Sequence, residues 1–256
     1  MFIFQAVILG IVQGLTEFLP VSSSAHLLFV PKLFNWPEHT LFFDTALHLG
    51  TALAVILYFL RDWINILKNG KDLTKIIIGI IPAGLAGFLF SSYIEMNVRS
   101  LLVVSFTLIA GTLIMLFAEK YVRGKGSLKE KVSLTDSIFI GLMQVLALVP
   151  GMSRSGMTIS GGFFRRIKKE EVVKFSFYLS APIIFAAAAF SFIKSYKAAG
   201  NFDFLDGSFA IGFVMSFLTG LFAIKFMLAY IDKKGFGVFI WYRLFLALLV
   251  LLFYLI

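Results

Sequence analysis

Apolar positions along this chain gather into runs close to the length of a membrane-crossing helix, with the polar positions collected between them. A hydrocarbon core about 30 Å thick takes about 20 residues of α-helix. Six runs of that kind, bounded by charges, predict spanning helices over Leu41 to Leu60, Ile76 to Tyr93, Ser100 to Ala118, Lys174 to Ile193, Ser208 to Tyr230 and Gly237 to Ile256. Two further apolar stretches, Phe2 to Leu33 and Thr135 to Phe164, are each interrupted by a polar cluster containing proline. Proline removes a backbone donor and turns its predecessor away from helix. Each stretch therefore predicts two short helical legs joined by a break. The first is not a signal peptide in pattern, because it lacks a basic leading region and polar residues interrupt its apolar segment.

Composition agrees with the pattern. Of 256 residues 59% are apolar and 14% charged, whereas soluble domains carry about 25% charged residues. A soluble enzyme, a disordered chain and a coiled coil are excluded. With no cysteine, disulfides, thiolate metal sites and redox motifs are excluded as well.

The net charge of +9 gains meaning from its placement. If each broken stretch turns back as a re-entrant hairpin, four loops share one face: Arg61 to Lys75, Glu119 to Leu134, Arg165 to Lys174 and Ile231 to Phe236. They hold 16 basic and 7 acidic residues, while the opposite loops, Pro31 to Thr40, Ile94 to Arg99 and Lys194 to Gly207, hold 4 of each. The positive-inside rule makes the first face cytoplasmic and puts both termini outside. A spanning Thr135 to Phe164 would move five basic residues to the outer face, so the hairpin is favoured. The expected fold is an all-α polytopic membrane protein, one integral membrane domain over residues 1–256. It is an inverted-topology repeat of 1–118 and 135–256, each half a re-entrant helical hairpin plus three transmembrane helices. Gly10-x-x-Gln13 and Gly141-x-x-Gln144 stand at similar points ahead of Pro20 and Pro150. In such repeats binding sites lie near the midplane, so the two polar clusters are expected to meet.

Those clusters carry the chemistry. Gln13 and Glu17, four apart, share a helix face, and a carboxylate inside an apolar segment points to function by its cost. Ser22, Ser23 and Ser24 follow Pro20, and His26 lies nine residues beyond Glu17. One serine is expected to cap the returning leg; the others are candidate nucleophiles, with His26 or Glu17 as base. In the second cluster, Ser153, Arg154, Ser155 and Thr158 are candidate phosphate ligands. Gly151 and Gly156 would let backbone come close to a ligand, and Arg154 needs an anionic partner at that depth. That partner is a phosphate or, structurally, Glu17 across the hairpins. Lys225 and Arg243, near cytoplasmic helix ends, are expected to snorkel. Asp44 and His48 form a lone i,i+4 pair that suits a metal, a proton path or helix packing equally. No zinc-protease, Walker or Rossmann pattern is present.

Together the clusters resemble the undecaprenyl-diphosphate phosphatases of the BacA/UppP type. The resemblance rests on Gln13-x-x-x-Glu17-Phe18-Leu19-Pro20-x-Ser22-Ser23-x-x-His26 and Pro150-Gly151-x-Ser153-Arg154-Ser155-x-x-Thr158, and it extends over the whole chain. It implies a bacterial cytoplasmic-membrane enzyme, its active site opening to the outer face, that hydrolyses undecaprenyl diphosphate to the monophosphate and inorganic phosphate. That reaction recycles a carrier lipid for cell-wall synthesis and confers bacitracin resistance. The implied site has Glu17, Ser23, His26 and Arg154 as catalytic residues and Ser22, Ser153, Arg154, Ser155 and Thr158 on the phosphates. Gln13, Gly151 and Gly156 would support it, and a divalent cation, Mg²⁺ or Ca²⁺, would be held by Glu17 through the substrate phosphates. Some relatives carry Glu in place of Gln13, which points to a hydrogen-bonding role there. The partners are then the lipid diphosphate and membrane lipid, with a homodimer open. The rival reading is a transporter or lipid-phosphate flippase on the same architecture, which would need the cation but no nucleophile. Nucleic-acid binding fails, because the basic residues sit in short loops between spans.

Overall fold

The computed structural model describes residues 2–37, 39–124, 126–199 and 207–256, without the side chains of Leu41, Glu95, 194–199, Asp232 and Lys233. Residues 200–206 of the predicted outer loop Lys194 to Gly207 thus lie outside the described residues, and the other half of it is helical. The rest is helical: α1 Ile3–Phe18, α2 Ser23–Leu33, α3 Leu41–Tyr58, α4 Leu60–Lys68, α5 Gly70–Asn97, α6 Leu101–Val122, α7 Leu134–Leu146, α8 Arg154–Phe164, α9 Lys169–Ala199, α10 Gly207–Lys234 and α11 Gly237–Leu255. Among the described residues the one β-type pairing is an isolated bridge between Lys129 and Ile167.

Five helices, α5, α6, α9, α10 and α11, are long and apolar enough to cross a membrane, and the bent pair α3–α4 makes a sixth. These are the six runs that the hydropathy pattern marks, and their outward surfaces carry many exposed Phe, Leu and Ile side chains. The chain is a polytopic membrane protein. One element departs from expectation: Arg61 to Lys75 is not a loop, since α4 turns away from α3 by 76° and α5 begins at Gly70. Hydropathy misses α4 because its sequence, LRDWINILK, mixes charged and apolar residues over only nine positions.

Both broken stretches fold as two helical legs. The breaks fall at Leu19 to Ser22 and Ala147 to Ser153, where the prolines deny a continuing helix its donors. Each returning leg starts on a serine in the left-handed region, Ser22 at φ 72° and Ser153 at φ 73°, a conformation costly for a residue with a Cβ. Each offsets part of that cost by capping. Ser22 Oγ accepts from the Ala25 N–H and Ser153 Oγ from the Gly156 N–H, satisfying donors that a helix start leaves orphaned.

The hairpins are interlocked with the spanning helices. The outgoing leg α1 packs on α10, and α7 packs on α5, so each hairpin leans on a helix from the other half of the chain. Close approach of α1 to α10 depends on Gly10 and Gly14, where a Cβ would overlap Met215, Thr219 and the Ser216 carbonyl. The largest core cluster runs between the breaks, through Phe18, Val21, Met157, Ile159 and Phe177. It holds the two breaks side by side.

Candidate active site

Glu17, one residue from the end of α1, is 6% exposed and lies where the two breaks meet. Its Oε2 accepts from Ser23 Oγ at 2.7 Å and from Gln13 Nε2 at 3.0 Å. Its Oε1 accepts from Arg154 Nε at 3.3 Å and Nη2 at 3.2 Å. The carboxylate thus joins the nucleophile candidate of the first hairpin to the cation of the second. The structure realises the Glu17–Arg154 pairing, and the pair is loose, since tight charge-assisted bonds run about 2.7–2.9 Å. Arg154 Nη1 donates to the Ser176 carbonyl at 3.1 Å, which steadies the guanidinium from α9.

Gln13 Nε2 also lies 2.9 Å from His48 Nδ1, so in this arrangement the imidazole nitrogen accepts. His48 Nδ1 is 3.6 Å from Glu17 Oε2, and the ring is 35% exposed, at the rim of the constellation. Gln13 Oε1 is buried without a described hydrogen-bond partner. The reverse amide orientation would aim this oxygen at the carboxylate, so the network selects the one described.

The i,i+4 pair of Asp44 and His48 is therefore not a unit. Asp44 binds His39 Nε2 at 2.6 Å and Arg99 Nη2 at 3.3 Å, whereas His48 belongs to the Glu17 group. His26 also departs from expectation. Its Nδ1 is 2.7 Å from the Ser22 carbonyl, which only accepts, so Nδ1 carries a hydrogen. Its Nε2 is 2.6 Å from the Tyr242 hydroxyl. Both nitrogens are thus engaged away from Ser23, and the base in contact with Ser23 is Glu17.

The hydroxyls expected on phosphate are largely committed to structure. Ser22 and Ser153 are caps. Ser155 Oγ donates to the Leu19 carbonyl at 3.1 Å, tying one hairpin to the other. Thr158 Oγ1 donates to the Arg154 carbonyl at 2.9 Å and meets Ser176 Oγ at 2.6 Å. Gly151 and Gly156 make room for protein: a Cβ would meet Thr107 at Gly151 and Met115 at Gly156, both on α6. Arg243 does not snorkel. It is fully buried among backbone carbonyls.

Among the described residues no group of three or more His, Asp or Glu side chains could hold a metal ion. Glu17 and His48 offer one carboxylate and one imidazole, so the residues present fit a divalent cation only where substrate oxygens complete its shell.

A buried carboxylate beside a serine, opposed by an arginine at the start of an α-helix, is chemistry suited to a phosphate ester or anhydride. The family described as Bacitracin resistance protein BacA matches residues 6–249. The chain belongs to this family. Relatives named undecaprenyl-diphosphatase include one from Thermodesulfovibrio yellowstonii, 45% identical over 98% of this chain and 97% of the relative. Another, from Caldicellulosiruptor bescii, is 43% identical over 98% and 97%, and one from Chlorobaculum tepidum is 39% identical over 96% and 95%. The BacA match takes in both hairpin breaks and every residue of the Glu17 constellation.

Proposed function

We propose that this chain is an integral membrane phosphatase that hydrolyses undecaprenyl diphosphate to undecaprenyl phosphate and inorganic phosphate, returning the carrier lipid to cell-wall synthesis and conferring bacitracin resistance. The observation that carries the reading is Ser23 Oγ at 2.7 Å from a Glu17 carboxylate that Arg154 also holds. A flippase has use for the cation, but not for a hydroxyl with its base. The names of the relatives support the same choice.

In the proposed reaction Ser23 Oγ forms a bond to the terminal phosphorus and its proton passes to Glu17 Oε2. The bond from that phosphorus to the bridging oxygen breaks, and undecaprenyl phosphate leaves with the electron pair. Water then cleaves the phosphoserine, releasing inorganic phosphate and restoring the hydroxyl. Arg154 shares its guanidinium between Glu17 and the phosphoryl oxygens, where it neutralises charge gathered in transfer. Backbone N–H groups at the starts of α2 and α8 replace the committed hydroxyls as further phosphate donors. Mg²⁺ or Ca²⁺, held by Glu17 and the diphosphate oxygens, would supply further charge neutralisation.

The same reading places residues 1–256 in one membrane domain built as an inverted repeat of 1–118 and 135–256. Its support is the recurring order of hairpin and spanning helices, the interlocked pairing of α1 with α10 and α7 with α5, and the matched left-handed caps. It also places the site toward the outer face of the cytoplasmic membrane with both termini outside, on the strength of the loop charges.

The deciding experiment is phosphate release from undecaprenyl or farnesyl diphosphate by the purified chain in detergent. Turnover is expected. A well-folded protein that releases none would favour the carrier reading.

A further inference from the structure

A second buried guanidinium lies outside the Glu17 constellation. Arg243, in α11, is 0% exposed and heads the largest fully buried side chains. Its Nε donates to Thr112 Oγ1 at 2.8 Å and its Nη2 to the Leu108 carbonyl at 3.1 Å, anchoring it to α6. Its other contacts go to the two hairpin breaks: Nη1 to the Pro20 carbonyl at 3.4 Å, and Nη2 to the carbonyls of Gly151 at 2.8 Å and Met152 at 3.3 Å. These described partners are all neutral. Gly111 leaves the space that Nη2 fills.

A buried cation without a counter-ion is expensive, and an arginine this near a helix end has the cheaper option of reaching the interface. The carbonyls it holds stand just ahead of Ser22 and Ser153, the two left-handed residues that start the returning legs. We propose that Arg243 is a positioning residue of the phosphatase site. It ties both breaks to α6 and to each other, so that Ser23, the first residue of α2, and Arg154, the first residue of α8, meet at Glu17. Only a planar fork with five donors can serve three segments at once; a lysine ammonium is a point with three. The inference rests on the phosphatase reading for its kinetic consequence and on geometry alone for its structural one.

The test compares wild type, Arg243→Lys and Gly111→Ala, purified in one detergent with farnesyl diphosphate as substrate. Because the chain has no cysteine, spin labels on Leu33→Cys and Leu146→Cys also report the distance between the hairpins. Folded Arg243→Lys is expected to lose about 10- to 100-fold in kcat, the scale of a slight misplacement of reacting groups. Its KM should stay within about threefold of wild type, because ground-state binding is not what the residue supplies. The distance distribution should broaden. A folded Arg243→Lys protein with wild-type kcat, or with an unchanged distribution, would overturn the proposal. Should that variant fail to fold, Gly111→Ala, which crowds Nη2 with one methyl and keeps the guanidinium, is judged by the same criteria. Wild type without phosphate release would sink the phosphatase reading, and the distance measurement would still judge the tie.

Discussion

Ser23 differs from Ser22 and Ser24 in where its hydroxyl points. Ser22 caps α2, and Ser24 Oγ meets Ser22 Oγ at 3.2 Å and accepts from the Gly151 N–H at 3.4 Å. Ser23 alone of the three reaches the carboxylate. Ser23→Ala should therefore lower kcat by about a hundredfold or more, while Ser24→Ala should cost far less. Acid quenching during turnover should trap phosphate on Ser23; near-native turnover by Ser23→Ala would instead make water the nucleophile. Arg154→Ala should cost about a hundredfold or more in kcat, as loss of one preorganised charge contact does, and ordinary kinetics in that variant would refute the phosphate clamp. Chelation of divalent cations should abolish turnover, with recovery on adding Mg²⁺ or Ca²⁺. Glu17 and Arg154 were legible in the sequence because charge within an apolar segment has so few inexpensive explanations; Ser23 stood out from Ser22 and Ser24 only through the family resemblance. Arg243 was not, since its distance from a helix end suits snorkelling and only packing fixes its depth. Tyr242 was equally hidden, and His48 was visible only as a partner for Asp44 and not for Gln13 and Glu17, because nothing in a linear pattern says which helix face meets which hairpin.

At the scale of elements, the hairpins depend on how closely their outgoing legs approach the spanning helices. Gly14→Ala should push α1 from α10 and destabilise the protein by about 1–3 kcal/mol, the usual cost of overpacking. Gly84→Ala, on an exposed face of α5 with nothing within 4 Å of the added carbon, should raise stability by about 0.5–1 kcal/mol through helix propensity. Thermal unfolding in a single detergent measures both, and equal effects would mean that the α1–α10 contact is not tight. The spanning helices were readable because a run of about 20 apolar residues in one chain has essentially one use. The breaks were readable from proline. The pairing of α1 with α10 and α7 with α5 was not, because it depends on small residues whose meaning appears only once the partner surface is known.

For the whole molecule, the loop charges predict which surfaces meet the outside. A single cysteine at Met96, in the last turn of α5 beside the connection to α6, should react with a membrane-impermeant maleimide in intact cells. One at Ser127, between α6 and α7, should react only after permeabilisation. The opposite pattern would invert the layout. The interlocked packing also has a consequence for how the protein is made. Glu17 and Arg154 stand 137 residues apart, and α10 begins at Gly207. At synthesis rates of about 5–20 residues per second, separations of this size take roughly 7 to 40 seconds to emerge from the ribosome. For that interval the first hairpin has neither the helix it leans on nor the cation that answers its carboxylate. It must wait at the insertion machinery or in the interfacial water until the second half arrives, so the enzyme acquires its site only when the final helices are in the bilayer.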